Sequence, residues 1–531
     1  MLRPSRMLAL TALASLSLAQ AQQPVTVQTD RGTVVGRQAD VRTFLGIPYA
    51  APPVGDLRWK SPQPAAAWDR PRDASQFGGE CAQTVLALFA LPGETPGAVK
   101  GQEDCLYLNV FAPKEATPQS RLPVMVWIHG GAYTAGSASA YDGSVLAQKN
   151  NMLVVTINYR LGALGWLALP ALGAEDGGGQ SGNYGLMDQQ AALSWVKTNI
   201  TAFGGDPTKV TIAGESAGGM SGCAHLASPA SAGLFRGAMI QSGLCTSPGN
   251  SVTLAEAQNR NRKYVTNLGC KADNLACLRA APVEKLLSTR VPGLRPAVNL
   301  VWSPVYASKL LPLTLREAFE SGQFNRVPVM NGTTHDEGRL FVSVASPDGK
   351  PISPAVYWGG TGLTVGSANT TKVLKQYPYR NFGTPALAFA TMFTDAVFSC
   401  PALRVNTALS KYVPVYAFEF DDPNAATIVK VPGDLPGLGS HHSSSLAYAF
   451  QSSIPGLADA ADFTPAQRQL SDAFSAAWAS FVKTGKPAPA DWRPFDPARN
   501  NVQVFTPDGV QESILFSNDH RCNFWLPLDL K

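Results

Sequence analysis

The stretch Val210-Thr-Ile-Ala-Gly-Glu-Ser-Ala-Gly-Gly219 carries the chemistry of this chain. β-Branched residues give way to Gly-x-Ser-x-Gly, and small residues that open a helix follow. Strand, tight turn and helix in that order make a nucleophile elbow, which lifts one serine hydroxyl above a sheet edge. So tight a turn leaves almost no room for side chains beside Ser216. Gly214 and Gly218 meet that need, and Ala217 and Gly219 keep the helix start slim. The N–H of Ala217 falls at a helix N-terminus, where positive potential favours an anion. A serine held this way performs acyl transfer if the chain also supplies a base, an acid that orients the base, and donors for an oxyanion.

Donors first. His129-Gly-Gly131 directly follows the apolar run Val124–Ile128, and Gly130 and Gly131 can bring backbone N–H groups close to a tetrahedral oxygen. For the base there are only six histidines: 129, 225, 335, 441, 442 and 520. Where this elbow occurs, in α/β-hydrolases, the chain order is Ser, then Asp or Glu, then His. Order removes His129. His225 lies on the helix that Ser216 opens, too close in sequence to fold back. His335 abuts the candidate acid, and His520 precedes Cys522 in a tail that reads as stapled down. The pair His441-His442 remains, in a loop with Gly437, Gly439 and several serines ahead of Leu446-Ala-Tyr-Ala-Phe450. The acid belongs after a strand between Ser216 and this loop. Val327-Pro-Val-Met330 is such a strand, and it leads into Asn331-Gly-Thr-Thr-His-Asp-Glu-Gly338. Asp336 and Glu337 are both candidates, and the residues alone do not choose between them.

The elements that must position these groups alternate in type. Val124–Ile128, Met152–Asn158, Val210–Ala213 and Gly237–Gln241 read as short buried strands. Asp188–Asn199 reads as a helix, with Leu193, Val196 and Ile200 at helical spacing. The pattern predicts an α/β fold: a mostly parallel central sheet, helices on both faces and large loop insertions. In such sheets ligands bind at the carboxyl ends of the strands, where both His129-Gly-Gly131 and Ser216 fall. The chain has 531 residues, 45% of them apolar, and no internal repeat or long linker. Residues 22–531 are therefore expected to form a single domain.

Residues 1–21 read as a signal peptide. Arg3 and Arg6 precede the apolar run Met7–Leu18, and Ala19-Gln20-Ala21 fits a cleavage site. The formal charge of +5 falls to +3 without Arg3 and Arg6, which is weak for this length, and no Lys/Arg run suggests nucleic acid. No later segment offers 18 uncharged apolar residues, so stable membrane insertion is not expected. A secreted or periplasmic location follows. Eight cysteines suit a disulfide-permissive compartment, and none forms a Cys-x-x-Cys metal pair. Cys270 and Cys277 are close enough to close a small loop.

Together these segments resemble the type-B carboxylesterase and cholinesterase-like family of α/β-hydrolases. The likeness runs over nearly the whole mature chain. It includes Phe44-Leu-Gly-Ile-Pro-Tyr-Ala50, Pro53-Val-Gly-Asp-Leu-Arg-Trp59, Glu103-Asp-Cys-Leu-Tyr-Leu-Asn-Val110 and Asn183-Tyr-Gly-Leu-Met-Asp-Gln189. Phe203-Gly-Gly-Asp-Pro207, Gln241-Ser-Gly243 and Arg521-Cys-Asn-Phe-Trp525 also fit. The resemblance implies a serine carboxylesterase that needs no metal or organic cofactor and acts on small-molecule esters. It implies Ser216 as nucleophile, Glu337 rather than Asp336 as acid, and His442 rather than His441 as base, aligned on Leu446, Tyr448 and Phe450. Oxyanion donors are implied at Gly130, Gly131 and Ala217. It also implies the pairings Cys81–Cys105, Cys270–Cys277 and Cys400–Cys522. Cys223 and Cys245 are left over, and we expect a fourth disulfide between them. Glu103 with Arg58, and Arg160 with Asp188, are expected as structural ion pairs.

Two departures from the family pattern stand out. Ser445 occupies the place of an acid three residues after the base, which leaves Glu215 and Glu337 as the acids near His442. The Cys81–Cys105 loop has Phe89 as its only aromatic and no Trp to hold a quaternary ammonium, which argues against choline esters. The substrate pocket is expected to involve Glu215, Leu244, Leu300 and Trp302. Two other readings compete with a general esterase. One is an esterase specialised for aromatic, polycarboxylate or polyester substrates. The other is a non-catalytic binding module, against which the presence of Ser216, Glu337 and His442 argues.

Overall fold

The computed structural model describes residues 23–86, 90, 91, 93–176, 180–247, 249–289, 291, 300, 302–345, 350–429, 435, 437–528 and 530. The expected leader 1–21 and Phe89 lie outside the described residues.

Valine-rich runs that are apolar at every position cannot leave either side to water, and they build the middle of one large sheet. Its strands are β1 (Gln23–Gln28), β2 (Thr33–Gln38), β3 (Val41–Pro48), β4 (Tyr107–Pro113), β5 (Leu122–Ile128) and β6 (Leu153–Ile157). They continue with β7 (Gly205–Glu215), β8 (Gly237–Gln241), β9 (Val329–Thr334), β10 (Val415–Phe420), β11 (Val502–Thr506) and β12 (Gly509–Ser513). The spatial order is β1-β2-β3-β4-β6-β5-β7-β8-β9-β10-β11-β12, and the two-residue strand Arg72–Asp73 pairs with β2. From β6 to β11 every neighbour is parallel, while the strands at both edges are antiparallel.

Along β5 the side chains alternate between two cores. Val124, Val126 and Ile128 join one, and Met125 and Trp127 join the other. Both faces are therefore covered, as a continuous apolar strand requires. The second core is closed by the helix Pro465–Thr484, whose Phe474, Trp478 and Phe481 pack beneath the sheet. That helix carries its own boundaries: a capping box between Thr464 and Gln467, Pro465 in the first turn, and Gly485 in the left-handed conformation at its end.

Boundaries differ from the sequence expectation in two useful places. The elbow strand starts at Gly205, earlier than Val210, with a register shift between those two residues against β5. The strand expected at Val327–Met330 instead runs Val329–Thr334. Its polar second half is stable there because β8 and β10 satisfy its backbone from both sides. Asn331 also gives its amide to Asn406 Oδ1 at 2.7 Å.

Four disulfides join Cys81–Cys105, Cys223–Cys245, Cys270–Cys277 and Cys400–Cys522. This set fits an oxidising compartment. Arg58 grips Glu103 through Nε and Nη2 (2.7 and 2.5 Å), and Arg160 grips Asp188 likewise (2.8 and 2.7 Å). Among the described residues one helical run, Pro385–Leu409, is long and apolar enough to cross a membrane, and 89% of its most apolar window is buried inside the fold.

Candidate active site

The site lies along the carboxyl edge of the parallel strands. β5 ends before Gly130, β7 before Ser216, and β9 three residues before Glu337, and the chain after β10 leads to His442.

Ser216 sits between β7 and the helix Ala217–Ala227 with φ 57° and ψ −121°. A non-glycine residue there is strained, and strain of this kind persists only when surrounding structure holds it. The holding bonds are visible. Ser216 N donates to Gln241 O at 2.9 Å, and Met220 N donates to Ser216 O at 2.9 Å. A Cβ on Gly218 would stand 1.9 Å from Ile128 O, so no other residue lets the helix start this close to β5. Residues 210–228 are buried throughout except Ser216, which reaches solvent.

The Gly130-Gly131 turn rests against this elbow. A Cβ on Gly130 would lie 2.9 Å from Glu215 O and 3.1 Å from Ser216 Cβ. Among the described residues neither glycine N–H donates to a backbone carbonyl. Ala217 is the first residue of its helix, where an N–H has no intrahelical acceptor. Gly130 thus packs against Ser216 with Gly131 next in the turn, and Ala217 follows Ser216 directly.

On the other side, Glu337 opens the helix Glu337–Ala345 and is fully buried. Its Oε1 accepts from Thr334 N at 2.9 Å, which turns Oε2 toward His442 Nδ1 at 2.5 Å. Asp336 faces elsewhere, to Arg339 Nη2 (2.8 Å) and Ser440 N (3.1 Å). His441 is buried with Nδ1 donating to the carbonyl of His442 at 2.7 Å, and burial pushes its pKa down to about 4. The residues that meet are therefore Glu337 and His442.

Glu215 lies near His442, as the departure at Ser445 led us to expect. Its Oε1 lies 3.1 Å from His442 Nε2 and accepts from Ser443 Oγ at 2.6 Å. His442 has a carboxylate at each ring nitrogen. Burial disfavours its cation, but the charges of Glu215 and Glu337 and the Glu337 hydrogen bond outweigh burial and hold its pKa above the ordinary imidazole value. Burial raises the Glu215 pKa, against the opposing pull of His442 and Ser443. With His442 acting as a base, which must be neutral, kcat/KM is expected to fall as pH drops through this raised pKa. Glu215→Gln removes one of the raising charges, so the acid limb of the kcat/KM profile is expected to move to lower pH. An unmoved acid limb in Glu215→Gln would show that Glu215 does not act on His442.

Phe341 and Phe398 flank the His442 ring at 4.9 and 5.1 Å between centroids. Neither was identified from the sequence. Phe341 could have been, because it stands four residues after Glu337 on the same helix face. Phe398 belongs to a π-helical segment, Thr394–Ser399, that no sequence signal announces. Ser445 is buried and takes the amide of Gln241.

A cavity of about 260 Å³ opens at Gly130, Gly131, Glu215 and Ser443. Its apolar wall comes from Val85, Leu86 and Leu91 of the Cys81–Cys105 loop and from Leu446, Ile454 and Leu457. Among the expected pocket residues only Glu215 lines it. Leu244 is buried beside the Cys223–Cys245 bridge, Trp302 packs edge-on against Tyr264 at 5.3 Å, and Leu300 lies partly buried against the main core. These three were placed by loop correspondence, and loops of different length carry side chains to different sites.

With this geometry in view, comparison with known proteins is decisive. A sequence model of the carboxylesterase family matches residues 23–525. The chain belongs to the carboxylesterase family. It is 38% identical over 471 residues to para-nitrobenzyl esterase of Bacillus subtilis (strain 168), covering 87% of this chain and 90% of that one. It is 36% identical over 498 residues to fumonisin B1 esterase of Sphingopyxis macrogoltabida, covering 92% and 87%. A solved PNB esterase superposes with a TM-score of 0.77 at 33% identity, covering 93% and 98% of the two chains. This carboxylesterase is a hydrolase of carboxylic esters with the α/β-hydrolase fold.

Proposed function

We propose that the carboxylesterase cleaves small esters through an acyl-enzyme on Ser216. His442 takes the hydroxyl proton as Ser216 attacks the ester carbonyl. Glu337 holds His442 with Nδ1–H toward the carboxylate and offsets the imidazolium charge. The N–H groups of Gly130, Gly131 and Ala217 receive the oxyanion. His442 returns the proton to the departing alcohol, and water then releases the acid by the same steps. The observation that carries this reading is one contiguous chain of contacts. Glu337 meets His442 at 2.5 Å, His442 meets Glu215 at 3.1 Å, and Glu215 is bonded to Ser216, against which Gly130 packs. With four disulfides in support, the enzyme acts as a single catalytic domain in the periplasm or outside the cell.

The cavity also bears on the substrate. Glu80, Glu94 and Glu215 line it against Lys100 alone among cations. Lys100 is already paired with Glu94 at 2.8 Å and Glu80 at 3.5 Å. A polycarboxylate ester would meet net repulsion there, whereas a neutral ester of modest length fits the apolar wall. p-Nitrophenyl esters from acetate to decanoate, with mono-p-nitrophenyl succinate as the anionic counterpart of the butyrate, test this. The butyrate is expected to exceed the succinate in kcat/KM by about tenfold, equivalent to about 1.4 kcal/mol of discrimination. Faster turnover of the succinate would favour a specialised polycarboxylate esterase.

A further inference from the structure

Away from the ester-cleaving residues, three side chains from distant parts of the chain converge on one point. His335 follows the end of β9, Glu419 lies on β10, and His520 belongs to the C-terminal tail. Glu419 Oε1 is 3.0 Å from His335 Nδ1 and 2.7 Å from His520 Nε2. One ligand atom from each residue lies within 4.8 Å of the others. Glu419 and His520 are buried, while the His335 side chain is 37% exposed and opens the cluster to solvent.

A carboxylate also orients His520. His520 Nδ1 faces Asp395 Oδ1 at 2.8 Å, so its other nitrogen is the one aimed at Glu419. Asp395 is itself held by Tyr377 Oη at 2.7 Å, and Tyr377 by Trp525 Nε1 at 2.6 Å. A carboxylate that fixes the ring of a histidine whose far nitrogen joins a second histidine and a carboxylate is the arrangement of metal sites. The tail bearing His520 is anchored two residues later by Cys400–Cys522, which fixes the cluster's third corner.

We propose that His335 Nδ1, His520 Nε2 and Glu419 Oε1 form a Zn2+ site that clamps the C-terminal tail to the carboxyl edge of the sheet. Two imidazoles and one carboxylate suit zinc, with the exposed side of His335 leaving the fourth position to water. Zinc bonds of about 2.0–2.1 Å set ligand atoms roughly 3.3 Å apart in a tetrahedron. The His335–Glu419 and His520–Glu419 contacts, at 3.0 and 2.7 Å, need to open by about 0.3 and 0.6 Å to reach that spacing, and the two imidazole nitrogens, within 4.8 Å, to settle to it. The rival occupant is hydrogen: the same three residues, with protons between them, make an ion-pair network.

Untagged full-length protein, stripped with EDTA and dialysed, is titrated with Co2+ as a spectroscopic stand-in and with Zn2+ by calorimetry. The site predicts saturation at one equivalent, visible d–d absorption from Co2+ that zinc abolishes, and a higher Tm with zinc. In His335→Ala, where a partly exposed side chain is trimmed, affinity is expected to drop at least about tenfold. Absence of a Co2+ band in the wild type overturns the proposal without recourse to any variant. Equal zinc affinity in wild type and His335→Ala overturns it as well, and the cluster is then the proton-filled network.

Discussion

Ser216→Ala is expected to lower kcat for p-nitrophenyl butyrate between about a thousandfold and a millionfold, with the protein still folded. The effect is large because no neighbouring group can replace the hydroxyl. Residues 210–215 and 217–228 are buried, so Ser216 alone presents a nucleophile at the elbow. The strained backbone is held by Gln241 O and Met220 N, neither of which touches the side chain, so alanine keeps the turn. Residual turnover would come from the proposed oxyanion donors at Gly130, Gly131 and Ala217. Steady-state kinetics beside a circular dichroism spectrum check this, and a mutant within tenfold of wild type would remove Ser216 from the mechanism.

The second large effect is expected at the acid. Glu337 divides its two oxygens: Oε1 accepts from Thr334 N, and Oε2 faces His442 Nδ1. In Glu337→Gln the backbone N–H keeps the amide oxygen, because only oxygen can accept there. The amide NH2 then faces Nδ1, which must become the acceptor. The proton moves to Nε2, and the ring presents N–H where a base needs a lone pair. A loss in kcat of about ten-thousandfold is expected at pH 8, with little change in overall structure. Glu337→Asp keeps the charge but shortens the reach, and is expected to retain more activity than Glu337→Gln. Equal kcat in wild type and Glu337→Gln would mean that the pair does not set the tautomer.

Local features were legible in the sequence, and convergent ones were not. The elbow is written in ten consecutive residues, because glycines are demanded by contacts of the turn with its own flanking strand and helix. β5 and β8 were readable since an apolar run without polar breaks has few alternatives. β9 was read short, because its second half is polar and gains its stability from β8, β10 and Asn406. Asp336 and Glu337 are adjacent and chemically alike, so only their opposite directions in the fold separate them. The family resemblance had favoured Glu337 and His442, and the observed contacts run along those two residues. Glu215 against His442 and Ser443 joins residues 227 or more positions apart in sequence. No spacing rule reaches that far, and only the family resemblance had set Glu215 near His442. The pocket residues Leu244, Leu300 and Trp302 came from loop correspondence, and the cavity is lined instead by the Cys81–Cys105 loop, the segment from Gly130 to Tyr141 and residues around Leu446 and Ile454. Ser445, which departs from the family acid, meets Gln241, and the carboxylates facing His442 are Glu215 and Glu337.

The central claim is a covalent intermediate on Ser216, and peptide mass spectrometry after reaction with diethyl p-nitrophenyl phosphate tests it most directly. The account predicts one diethylphosphoryl group per chain, located on the peptide containing Ser216, with ester hydrolysis lost in proportion to labelling. Hydrolysis that persists in fully exposed protein without a label on Ser216, or a label on another residue that tracks the loss, would contradict it.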